Sequence, residues 1–76
     1  MPTRDRKTIL AFLAEHPGLK CKFHVHPETT VYYFEGLHDG TLDRKLAELH
    51  TNLSDRAECL QYPLDAVQGE MIEVTR

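Results

Sequence analysis

From Lys20 to His26 the chain reads Lys-Cys-Lys-Phe-His-Val-His, polar and apolar in strict alternation, and then meets Pro27. A period of two places Cys21, Phe23 and Val25 on one side of an extended strand and Lys20, Lys22, His24 and His26 on the other. Pro27 turns the chain, and residues 29–35 are rich in β-branched and aromatic side chains, so the two segments read as a hairpin joined through His26-Pro27-Glu28-Thr29. With Val25 opposite Thr30, Phe23 faces Tyr32 and Cys21 faces Phe34, and these six side chains make the core face. The other face carries Lys20, Lys22, His24 and His26 beside Val31, Tyr33 and Glu35. A slip of one residue on the second strand exchanges Tyr33 for Tyr32, because the period is two.

The flanking segments supply helices. Thr3 is placed to cap a helix whose apolar positions are Ile9, Leu10, Phe12 and Leu13, with His16 at its margin, and Pro17-Gly18 ends it. Gly36 and Asp39-Gly40 mark a turn, after which Leu42, Leu46, Leu49 and Leu53 recur at spacings of four, three and four, the stripe of an amphipathic helix. Ser54 and Asp55 suit the start of a further short helix through Leu60. Residues 61–69, bounded by Pro63 and Gly69, have no assigned path, and residues 70–75 read as a last strand with Ile72 and Val74 facing the core. The expected fold is a small single α+β domain, residues 1–76, of order α-β-β-α-α-β, with the hairpin and the C-terminal strand packed on helices.

That order is similar to the bacterial type of KH domain, in which a Gly-x-x-Gly loop between two successive helices clamps a nucleic-acid backbone. At that place this chain has Asn52-Leu53-Ser54-Asp55. Without the glycines and with an added carboxylate, the loop opposes a close phosphate approach. The resemblance is therefore one of topology and assigns no functional residue.

Size and composition bound the function. Seventy-six residues hold one core, and Leu, Ile, Val and Phe, 19 of them, are enough to form it. No apolar run approaches a membrane span, and the polar, basic start lacks a signal-type apolar stretch, so the expected location is the cytoplasm with no membrane partner. In that compartment Cys21 and Cys59 are expected to be buried thiols rather than a disulfide. The net charge of −3 conceals a split: residues 1–22 hold five basic and two acidic side chains, a balance of +3, and residues 23–76 hold four and ten, a balance of −6. Such a dipolar molecule is oriented in the field of a charged partner.

Catalysis has little support. A nucleophile needs a base and an oxyanion site, and Cys59 and Ser54 come with no local signature of either. Glu28, Glu35, Asp39 and Asp43 are scattered over turns and a helix start. No enzyme activity and no cofactor is expected. His24, His26 and His38 form a candidate three-nitrogen zinc set, but Cys21 has the opposite strand parity and no Cys-x-x-Cys is present, so no metal ligand is assigned and a small zinc-binding domain stands as the second alternative function.

The outer hairpin face carries the functional expectation. It reads as the surface of a small regulator or inhibitor that docks on a larger protein or complex, with Tyr33, Lys22 and His24 as contacts and Lys20 and Val31 at the margin. An unpaired sheet edge adds a second route, through a strand from a partner or from a second copy in a homodimer. The alternative is an RNA-binding or single-stranded-DNA-binding module that uses the same basic and aromatic residues together with Arg4, Arg6 and Lys7.

Overall fold

A computed structural model of the chain describes residues 2–36 and 40–74. Helix α1 spans Thr3–Glu15, followed by β1 (Lys20–Val25), β2 (Thr30–Glu35), α2 (Leu42–Thr51), β3 (Ala57–Gln61), a single 3-10 turn (Leu64–Ala66) and β4 (Glu70–Ile72). The strands form one sheet in the order β3-β2-β1-β4. β1 runs antiparallel to both β2 and β4, and β2 pairs in parallel with β3. The α+β class is as expected, with two α-helices and four strands among the described residues.

The hairpin has the register read from its alternation, with Cys21 opposite Phe34, Phe23 opposite Tyr32 and Val25 opposite Thr30. Cys21, Tyr32 and Phe34 are fully buried, and they join Ile9 and Leu13 of α1, the Leu42-Leu46-Leu49 stripe of α2, Leu53, Ala57 and Ile72 in one core cluster. Both helices thus lie on this face of the sheet, and Phe12 meets Phe34 edge to face at 5.9 Å. At the outer end of the hairpin Val25 is 54% exposed, because the core does not extend that far.

The segment after α2 departs from expectation. The short helix expected from Ser54 to Leu60 is strand β3, and the order is therefore α-β-β-α-β-β. Two causes are visible. Ser54 donates both its N–H and its hydroxyl to the Asp5 carboxylate, at 3.1 and 2.8 Å, and its carbonyl takes the Ala57 N–H, which closes a single turn over Asp55 and Arg56 in place of a helix start. The chain then enters the ladder at once, with Thr30 N–H on the Arg56 carbonyl and Tyr62 N–H on the Phe34 carbonyl. Ala57 and Cys59 turn inward and Glu58 and Leu60 outward, a period of two that five residues are too few to separate from one helical turn. With no second successive helix, the likeness to the KH order lapses.

Two smaller corrections follow from the termini of elements. Thr3 is the first helical residue rather than the cap, Pro2 taking that position with no side-chain bond. Val74 lies past the end of β4 and is 40% exposed, so of the two residues expected in the core only Ile72 is there.

Residues 62–69 link the two edges of the sheet by crossing its outer face. Leu64 is buried there, as is Val31, and neither belongs to the main core cluster. This strap covers the face that the helices leave open. Two glycines allow close main-chain approaches, Gly69 at the end of this strap and Gly36 beside the turn before β1. A Cβ on Gly69 would lie 2.4 Å from the Phe23 carbonyl oxygen, and one on Gly36, whose φ is +130°, would lie 2.3 Å from the Gly18 carbonyl oxygen.

Candidate docking surface

The strap is held by the side chains that alternate outward on the hairpin. Lys22 donates from Nζ to the carbonyls of Leu64 and Val67, at 2.8 and 3.4 Å. His24 donates from Nδ1 to the Gln68 carbonyl at 2.9 Å, which fixes the proton on that nitrogen. Glu35 accepts the Leu64 N–H at 3.0 Å, and Tyr33 meets Tyr62 edge to face at 6.1 Å.

These bonds distribute the five nominated contact residues unequally. Lys20 and His24 are exposed, Tyr33 is half-buried against Tyr62, Lys22 is half-buried with its ammonium on two carbonyls, and Val31 is buried at 7% exposure. They do not form one open platform. A phosphate-binding reading of this face loses its central cation, since Lys22 is already engaged. Arg4, Arg6 and Lys7 are exposed on the first turns of α1.

Open apolar surface remains at both edges of the sheet, with Met71 on β4 39% exposed and a second patch toward β3. Leu60 is the register neighbour of Tyr33 and is 46% exposed, and Tyr62 beside it is 48% exposed. β3 is also an edge strand. Main-chain N–H and C=O groups alternate in direction along a strand. The Arg56 carbonyl and the Tyr62 N–H point at β2, so the groups of Glu58 and Leu60 do too, and those of Ala57, Cys59 and Gln61 point away. Ala57 is satisfied, its N–H on the Ser54 carbonyl at 3.1 Å and its carbonyl taking a bond from His50 Nε2 at 2.8 Å. Among the described residues nothing bonds the outward groups of Cys59 and Gln61. An open groove of about 540 Å³ runs beside them between α2 and β3, with Leu46 and Ala47 on its helix side and Asp43 and Glu58 at its rim. Leu60 and Tyr62 were not among the residues singled out from sequence. No alternation marks them, because Glu58-Cys59-Leu60-Gln61-Tyr62 puts the apolar Leu60 and Tyr62 on the same face as the charged Glu58.

The thiols and the serine hydroxyl are held in neutral or hydrogen-bonded states. Burial first, and then the Asp5 charge, push the Cys59 thiol up to about 12. Burial, with Cys59 as a second cause, pushes Cys21 further in the same direction. Both are free thiols. The Ser54 hydroxyl donates to Asp5, a buried carboxylate that also takes the Ser54 N–H, so the pair is engaged in holding α1 to the segment before β3. Among the described residues no three His, Cys, Asp or Glu side chains converge on a metal-sized site. His38, the third member of the histidine set, lies outside the described residues, as does Asp39.

No family model, curated protein or solved structure matches the chain. No helix among the described residues is long and apolar enough to cross a membrane.

Proposed function

We propose that this protein is a small non-catalytic regulator or inhibitor that docks on a larger cytoplasmic protein or complex, and that the free edge of β3 is where the partner adds an extended segment. One observation carries the reading: the unbonded main-chain groups of Cys59 and Gln61 stand beside the exposed side chains of Leu60 and Tyr62. Main-chain pairing along such an edge supplies affinity, and side-chain pockets supply selection. An apolar residue of the partner lies against Leu60 and Tyr62, and a basic one meets Asp43 and Glu58 at the rim of the groove. Of the residues first nominated, Tyr33 takes part by backing Tyr62, while Lys20 and His24 lie beyond the strap from this edge.

Two variants test the edge without touching the β2–β3 ladder. Gln61→Pro removes an outward N–H and blocks strand addition. Leu60→Glu places a charge in the apolar contact. Tagged wild-type protein is expected to retain a stoichiometric protein from lysate of its source, with or without nuclease, and both variants are expected to lose it while melting within a few degrees of wild type. Retention of the same partner by both variants overturns the edge assignment. Capture of nucleic acid alone, abolished by nuclease, overturns the protein-docking reading.

A further inference from the structure

His24 and His26 lie two residues apart on the same face of the hairpin, and both are exposed. Their ring centroids are 4.4 Å apart with the planes inclined at 52°. His24 Nδ1 donates to the Gln68 carbonyl at 2.9 Å, so its Nε2 keeps a lone pair. A backbone carbonyl that fixes the proton on one ring nitrogen and leaves the other available is the usual support of a metal-binding imidazole. Among the described residues no hydrogen bond occupies the ring of His26.

We propose that His24 and His26 form a two-imidazole site for a divalent first-row transition ion, with Cu(II) held more tightly than Ni(II) or Zn(II). Imidazole suits these ions, and for a given nitrogen donor set affinity peaks at copper. No third His, Cys, Asp or Glu among the described residues joins the pair, so the described residues supply two ligands and the other positions are open to water. The site is therefore open and exchangeable, unlike the closed four-ligand sites that hold structural zinc. The Lys22 ammonium lies two residues before His24 on the same face and is fixed by the carbonyls of Leu64 and Val67, so it opposes a cation and keeps binding modest. This assignment is independent of the β3 edge.

The test uses the untagged full chain titrated with Cu(II), followed by electron paramagnetic resonance for equatorial nitrogen couplings and by calorimetry for affinity. Wild type is expected to bind one ion with two nitrogen ligands. His24→Ala and His26→Ala are each expected to weaken binding at least about tenfold, as loss of metal-site groups does. His38→Ala and His50→Gln are expected to leave it unchanged. Equal binding by wild type and His26→Ala overturns the proposal, as does loss of binding in His38→Ala, which places the ion in a different ligand set. A chain that binds no Cu(II) at equimolar concentration also overturns it.

Discussion

Asp5 on α1 and Ser54 before β3, 49 residues apart in sequence, are joined by two hydrogen bonds, one from the Ser54 N–H to Oδ1 and one from its hydroxyl to Oδ2. The carboxylate is only 1% exposed. It fastens the first helix to the turn that launches β3. Asp5→Ala leaves two donors unsatisfied and is expected to cost about 2–3 kcal/mol, while Asp5→Asn, which keeps a carbonyl acceptor, costs less. Urea denaturation measures both, and an Asp5→Ala protein within 0.5 kcal/mol of wild type, the range ordinary for a surface change, refutes the clamp.

Tyr32 lies fully buried in the same core, and among the described residues its hydroxyl has no hydrogen-bond partner. Burial without a partner penalises the polar group, so Tyr32→Phe is expected to leave stability unchanged or raise it by up to about 1 kcal/mol. A loss larger than that in the same denaturation experiment shows that the hydroxyl is satisfied in solution.

Alkali is expected to destabilise the fold. Tyr32 is raised from 10.0 to about 12 by burial and then by the Asp5, Cys21 and Cys59 charges, and Cys59 is raised from 9.0 to about 12. Cys21 moves the same way. Between the ordinary and the raised values the folded chain holds protons that the unfolded chain has released, so stability falls as pH rises. The decline begins near pH 9 and continues toward pH 12, with a slope on the order of 1.4 kcal/mol per pH unit for each fully buried group. Denaturation midpoints at pH 7, 9, 10 and 11 check the sign. A midpoint that holds steady or rises above pH 9 contradicts it.

Lys22 provides a test of the strap. If its ammonium secures residues 64 and 67, Lys22→Met is expected to destabilise by about 1.5–3 kcal/mol, the range for charge-assisted hydrogen bonds. A stability equal to wild type, combined with weakened partner binding, returns Lys22 to the contact role assigned from sequence.

Gly69→Ala places a methyl group where the Phe23 carbonyl oxygen lies 2.4 Å away, and the strap cannot then reach β4 without displacement. The expected cost is about 1–3 kcal/mol, as for other forced overpacking. A melting temperature unchanged from wild type shows that the close approach is dispensable.

Much of the fold was legible because its periodicities are long and unmixed. The alternation from Lys20 to His26 gave the hairpin register, and the Leu42-Leu46-Leu49 stripe gave the buried side of α2. β3 was hidden because a serine suited to a helix cap instead bonds an aspartate 49 positions earlier, a partner that local pattern does not reveal. Asp5 carried a signal of its own: it stands four residues before Ile9 and eight before Leu13, on the buried stripe of α1, where a carboxylate needs donors from elsewhere. The outward face of the hairpin was correctly assigned to its residues, but their occupation by the strap depends on a path that Pro63 and Gly69 only bracket.

That strap begins at one margin of the sheet and ends at the other, so β3 and β4, which never touch, share a mechanical fate. Peeling either margin slackens the same eight residues and uncovers Val31. Main-chain amides of the two outer strands are consequently expected to form a single cooperative opening unit, exchanging their hydrogens with solvent in concert while those of the central hairpin are retained longer.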